Sequence, residues 1–366
     1  MTRMTRRTTL QALAAVVLAG AASTVAAVPG PDGLTPRQLA GQRVIYSYPG
    51  LTPPAELLQR IRAGEAAGVI FFGENVSDAQ QIAGVVQQLR DANAQSPVRR
   101  PLLLMTDQEG GKVRRLPGAP ELSEKQVGQS ADPDAAAKDA GTGAGTTLSG
   151  AGMNVNLSPV LDVYREPGNF IDEFGRSYSD DPQTAGRLGR DFITAQQATG
   201  VAATAKHFPG LGAVPAGGNT DVAPVTLNVP LSELRAKDEA PYGPAIEAGA
   251  KLVMLSWAVY PALDAARPAG LSPAAVQELR EQQKFQGVTI TDALEAGALK
   301  DFGDTGNRAV LAAKAGMDLI LASARDTTQG DDAVSALAAG LSDGSLPGES
   351  FTAAVDRVSA LRDGLH

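Results

Sequence analysis

The chain has no cysteine in its 366 residues. That excludes a disulfide framework, a thiolate zinc site, a cysteine nucleophile and a lipid-modified N-terminal cysteine. Histidine is nearly as scarce. The two present are His207 and the C-terminal His366, too few for a histidine-rich metal site. No motif for a hard cation stands out, and neither metal nor cofactor is expected. Aromatic residues make up 4% of the chain, with Trp257 the single tryptophan, so little is available for base stacking. Formal net charge is −8 and no Lys/Arg block occurs, which argues against a nucleic-acid partner. Long hydrophobic runs are missing too. The run over 10–22 is shorter than the ~20 apolar residues a bilayer crossing requires, and no later stretch reads as a membrane helix.

What is present at the N-terminus is a targeting pattern. Arg3, Arg6 and Arg7 precede the apolar run, and Val25-Ala26-Ala27 offers small residues for cleavage. The order Thr5-Arg6-Arg7-Thr8-Thr9-Leu10 resembles a twin-arginine export signal; an ordinary secretory peptide with adjacent arginines is the plainer reading. A leader over residues 1–27 implies export to an extracellular, periplasmic or cell-wall space, with no stable membrane insertion after its removal. Its loss takes away three arginines and no acid, so the mature charge becomes −11.

Residues 28–366 read as one domain. Eight short apolar runs recur at 43–47, 68–72, 102–106, 153–157, 201–206, 251–255, 287–291 and 318–321. Helix-like periodicity separates them at 54–67, 78–93, 183–199, 231–248, 273–283 and 307–315, and two more helices are expected from 331 to the end. Strands alternating with helices predict a parallel sheet, and eight repeats predict a TIM-like (β/α)8 barrel of the α/β class. An open doubly wound sheet is the runner-up, but polar residues follow several different strands, as at a barrel rim. Gly64, Gly68, Gly200, Gly249 and Gly316 precede strands, where left-handed helix caps are useful. Gly141-Thr142-Gly143-Ala144-Gly145 precedes a strand instead of following one, so it reads as a close-packed helix on the barrel, not a phosphate loop.

The strand ends carry the chemistry. Asp107 follows the third run, Asp162 lies beyond the fourth, Arg176 sits in the loop after it, Lys206 and His207 end the fifth, and Asp292 ends the seventh. In a barrel these converge on the catalytic face, in a mouth suited to a hydroxyl-rich ligand. Each has a plainer reading: Asp107 and Asp292 as helix caps, Asp162 as a turn residue, Arg176 paired with Asp172 or Asp180, and Lys206 with His207 as a buried pair. Asp292, as a barrel-mouth carboxylate, is the natural nucleophile. Asp318 begins the last strand, on the stability face, and reads as structural. Trp257 reads equally as an apolar platform under a ligand or as core.

Lys206-His207-Phe208-Pro209-Gly210-Leu211-Gly212 resembles the hallmark of glycoside hydrolase family 3, in its single-domain β-N-acetylhexosaminidase branch. Asp107 to Arg115 (D-Q-E-G-G-K-V-R-R), Asn156 to Asp162 (N-L-S-P-V-L-D), Gly175-Arg176-Ser177-Tyr178 with Asp181-Pro182, Tyr260 to Asp264 and Thr291-Asp292 resemble further family motifs, in order along the whole mature chain. The resemblance implies a retaining glycosidase acting on β-linked N-acetylglucosamine or a related sugar, with carbohydrate, cell-wall fragments among it, as partner. It aligns Asp292 with the nucleophile and Asp107, Arg176, Lys206 and His207 with residues that grip the terminal sugar.

The chain departs from that pattern at two places. The branch usually carries a histidine where Leu211 stands, then D-S-H, whose Asp-His pair is the general acid/base; here Gly217-Gly218-Asn219 occupies that position. The family's Ala-His after the sixth strand becomes Ser256-Trp257. Another branch takes a glutamate from a second domain, which is not expected here. Asp221, on the same loop, is the leading substitute acid/base, with a plain turn aspartate as the alternative; Glu173 and Glu109 are further candidates. A non-catalytic glycan-binding relative stays open beside the enzyme, because losing an acid/base costs roughly 10²–10⁴-fold in rate.

Overall fold

A computed structural model describes Met1 and residues 33–365. The expected leader, Met1 apart, and His366 lie outside the described residues. Eight parallel strands form: β1 Val44–Tyr46, β2 Gly68–Ile70, β3 Leu103–Thr106, β4 Val155–Asn156, β5 Ala202–Phe208, β6 Leu252–Leu255, β7 Val288–Thr291 and β8 Ile320–Leu321. They are hydrogen-bonded in the order β7-β6-β5-β4-β3-β2-β1-β8. A parallel bridge from Ile290 to Leu319 joins the two ends, so the sheet closes into the expected barrel. The Leu319 amide donates to Thr289 O at 2.9 Å and the Thr291 amide to Leu319 O at 3.1 Å across that seam.

Strand periodicity sorts the core into two shells. Ile45, Leu103, Met105, Leu252, Met254, Val288, Ile290, Leu319 and Leu321 fill the barrel interior, while their neighbours Val44, Tyr46, Leu104, Val253, Leu255 and Ile320 face the helices. Both faces of each strand are buried, which is why these runs are apolar throughout and not alternating. Val358 and Leu365 join the inner shell, so the last helix, Gly348–Asp363, seals the N-terminal end of the barrel. Asp318 is structural as expected: it accepts from the Thr289 amide at 2.8 Å, Arg280 Nη2 at 2.6 Å and Arg357 Nε at 2.9 Å.

Some boundaries differ from the sequence reading. The run expected as a helix over 231–248 breaks before Tyr242, where Pro241 removes an amide donor. Gly64, Gly200, Gly249 and Gly316 take positive φ, but Gly68 is the first residue of β2, where a Cβ would lie 2.0 Å from Leu103 O. The Gly-rich helix, Pro133–Gly150, packs on the helix Pro182–Gln197. A Cβ at Gly141 would lie 2.3 Å from Phe192 O, so glycine there permits close helix contact.

Candidate active site

A cavity of about 350 Å³ opens at the C-terminal end of the barrel. Asp107 after β3, Lys206 and His207 of β5, and Asp292 after β7 all line it. Arg176 and Asp221 reach it from the loops after β4 and β5. Successive strand side chains normally point to opposite faces. Lys206 and His207 share the cavity because β5 bulges there: Lys206 pairs with Met254 and Phe208 with Leu255, leaving His207 extra.

The cationic wall is one connected network. Lys206 Nζ lies 2.7 Å from Asp107 Oδ1 and 2.7 Å from Glu109 Oε1. Arg176 grips Glu109 through Nε at 2.8 Å and Nη2 at 2.9 Å, a bidentate pair. Arg176 is therefore not paired with Asp172, which takes Lys125 instead. Burial alone would raise the Glu109 carboxyl, but Arg176 and Lys206 outweigh it and hold it well below the usual carboxylate range. Burial would lower Lys206, yet Asp107 and Glu109 keep it raised and charged. Glu109 is thus an anion saturated by two cations, which removes it as a proton donor. Glu173 is exposed and outside the cavity lining.

Two expected sugar contacts are corrected. Asp162 is fully buried and outside the cavity lining. Its Oδ2 lies 2.7 Å from His207 Nδ1, and its Oδ1 accepts the Leu211 amide at 2.6 Å. It orients the histidine. Trp257 is also fully buried and forms no platform: its Nε1 donates to Ala293 O at 2.8 Å, and its ring fills the space over Gly270. It braces the residue after Asp292 from behind.

Asp292 Oδ1 accepts the Ala293 amide at 2.7 Å. Burial raises its pKa above 3.8, the nearby Asp221 charge adds to the rise, and His207 counteracts it. Two carboxylates therefore face one small cavity close enough to influence each other. Such a pair can divide the work of nucleophile and proton donor.

Three charged lining residues were not singled out from sequence. Arg115 returns to the cavity through a hairpin of Gln108–Gly110 with Val113–Arg114 and lies 4.0 Å from Asp107. Glu295 follows Asp292 by three residues, its oxygens held by Ser323 Oγ at 2.9 Å and Gln329 Nε2 at 3.2 Å. Arg325 stands 4.3 Å over the Phe72 ring at the mouth. Position a few residues past β7 and β8 was the available signal for the last two.

Residues 38–361 match the Glycosyl hydrolase family 3 N terminal domain. The chain belongs to glycosyl hydrolase family 3. An uncharacterized secreted glycosyl hydrolase of Arthroderma benhamiae is 47% identical over 329 residues, covering 89% of this chain and 93% of that protein. The family 3 β-N-acetylglucosaminidase of a Paenibacillus species superposes with a TM-score of 0.85 at 33% identity, over 90% of this chain and 62% of that longer one. The β-N-acetylhexosaminidase of Beutenbergia cavernae superposes with a TM-score of 0.82 at 31% identity, over 90% of this chain and 98% of that one. Membership of the family makes this protein a glycoside hydrolase. The loop after β5 holds the segment, Leu211 to Asn219, where the sequence reading expected the usual acid/base pair and did not find it. Leu211 is buried with its amide on Asp162, Gly217 stands exposed at φ 77°, and Asp221 is the acid that loop brings to the cavity.

Proposed function

We propose that this protein is an exported retaining β-N-acetylglucosaminidase, with Asp292 as nucleophile and Asp221 as general acid/base. The observation that carries the reading is the placement of Asp292 and Asp221 on one sugar-sized cavity that Asp107, Lys206 and Arg176 also line. Its volume sits near the small end of ligand pockets, about 300–1,000 Å³, as a single terminal sugar requires. The named activities of the Paenibacillus and Beutenbergia relatives support N-acetylglucosamine as the sugar. Terminal β-linked residues of cell-wall fragments are one source of such a substrate.

In the first step an Asp292 oxygen bonds to the anomeric carbon as the C1–O bond breaks, and the Asp221 proton moves to the departing oxygen. In the second, Asp221 takes a proton from water, whose oxygen displaces Asp292 from C1. Asp107, Lys206 and Arg176 hold sugar hydroxyls by charge-assisted hydrogen bonds, and His207 stands beside Asp292. Export rests on the leader pattern and on the secreted Arthroderma relative.

The test is hydrolysis of aryl β-N-acetylglucosaminides followed by NMR. The β-anomer is expected first, with turnover lost in Asp292→Ala. In Asp221→Ala, poor leaving groups are expected to slow by roughly 10²–10⁴-fold and very good ones far less. Undiminished turnover in Asp292→Ala, or initial release of the α-anomer, overturns the reading.

A further inference from the structure

The loop carrying Asp221 does not lie free over the cavity. Its backbone is stitched to the segment that follows Asp292. The Gly297 amide donates to Asp221 O at 2.8 Å, and the Ala298 amide donates to Thr220 O at 3.0 Å. Thr220 is buried and lines the cavity beside Asp221. Asn219 Oδ1 accepts the Asp221 amide at 2.7 Å, and Asn219 O accepts the amides of Val222 and Ala223 at 3.1 and 3.0 Å, so residues 219–223 form one tight turn. The far end of the loop is fastened by the bridge from Thr226 to Val259.

The other side of the seam is rigid. Ala293 O takes the Trp257 ring N–H at 2.8 Å, the Leu294 amide donates to Leu321 O at 3.1 Å, and Gly297–Leu299 is a single helical turn. Gly297 has ordinary negative-region backbone, so conformational freedom does not require glycine. Space does. A Cβ there would meet Val222 O at 2.1 Å, Val222 C at 2.4 Å and Asp221 O at 3.0 Å, all backbone atoms that cannot swing aside.

We propose that this seam, admitted by the missing side chain of Gly297, sets the separation of Asp221 from Asp292 and makes Gly297 a positioning residue for the acid/base. The inference rests on Asp221 being that acid/base. Gly297 follows Asp292 by five residues, so the segment that begins at one carboxyl group anchors the backbone that carries the other. A general acid must hold hydrogen-bond reach of the leaving oxygen, and displacement by about 1 Å costs on the order of 10²-fold.

Gly297→Ala tests it through leaving-group dependence, which a merely structural role would not move. In kcat/KM, which reports the step that cleaves the glycosidic bond, a phenyl glycoside is expected to lose about 10–100-fold and a dinitrophenyl glycoside less than about threefold. Azide, a nucleophile that needs no base, is expected to raise kcat of the variant on the dinitrophenyl substrate and give the β-glycosyl azide. Equal loss on both substrates, or loss on neither, overturns the proposal. Asp221→Ala runs beside it: discrimination there but not in Gly297→Ala overturns the seam alone, while its absence from both overturns the acid assignment as well. A wild-type measurement covers a variant that does not fold. Hydrogen exchange should find the Gly297 and Ala298 amides protected, and exchange at the rate of open loop amides overturns the seam.

Discussion

Asp162 divides its two carboxylate oxygens between His207 and the backbone of Leu211. Oδ2 takes the ring Nδ1 at 2.7 Å and Oδ1 the Leu211 amide at 2.6 Å. The contact at Nδ1 fixes the orientation of the imidazole in the cavity. One buried acid thereby holds both the histidine in the cavity and the start of the loop that leads to Asp221.

Asp162→Asn keeps the volume but turns one acceptor into a donor. One of the two partners is then left facing a like group in a fully buried site. The expected cost is roughly 1–3 kcal/mol of stability, visible as a lower thermal midpoint. A fall in kcat/KM of about tenfold or more should accompany it as His207 and the Asp221 loop lose their shared anchor. Unchanged activity with lowered stability would confine Asp162 to the core.

The acid limb of kcat/KM should follow Asp292, which must be ionised to attack. Its pKa is raised by burial and by the Asp221 charge and drawn down by His207. Activity should therefore fall, as pH drops, at a value above the ordinary aspartate range of about 3.9. One substitution should move that limb when assayed on a very good leaving group. His207→Gln removes the interaction that draws the Asp292 pKa down and should shift the limb to higher pH. A shift to lower pH would break the electrostatic account of the site.

The barrel was legible because parallel strands buried on both faces appear as short apolar runs, and all eight recur at their expected places within a few residues. Charged residues at those strand ends were legible as cavity groups for the same reason. The orientation of a side chain within a turn was not. Nothing local distinguishes Asp162, turned inward onto His207, from Asp107, which reaches the cavity. Trp257 likewise follows β6 but turns into the core behind Ala293. The Glu109–Arg176 pair joins residues 67 apart, and its meeting depends on the β3-to-β4 connection and on the loop after β4. Arg115 enters only because a hairpin folds back, with Gln108 Oε1 accepting the amides of Arg115 and Leu116 at 3.0 Å each.

Glu109→Gln should be among the most disruptive conservative substitutions in this chain. It removes the anion that two buried cations share, leaving Arg176 and Lys206 with Asp107 as their remaining acid. Breaking a buried pair by removing one partner costs about 3–5 kcal/mol. Thermal denaturation should show a clear loss, and substrate affinity should weaken as Arg176 loses its bidentate anchor. Parity with wild type in both would mean the network is held from elsewhere.

Stability should decline from mildly acidic to mildly alkaline pH, because of two adjacent buried acids behind the Lys206–Gly212 turn. Burial raises Asp238 to about 7 against the pull of Arg165, and raises Glu239 to about 7 against the Gln283 hydrogen bond. Both are fully buried. In the unfolded chain such groups titrate near about 3.9 and 4.3. Between those values and 7 the folded state binds more protons than the unfolded one, so stability is lost as pH rises through that window. Glu109 has the opposite sign, but its depressed carboxyl acts only in more acidic solution. Between pH 5 and 8 the thermal midpoint should thus fall by on the order of 5 °C, and Glu239→Gln should flatten that slope. A midpoint that rises over this interval would show that these two carboxyl groups are ionised in the folded barrel.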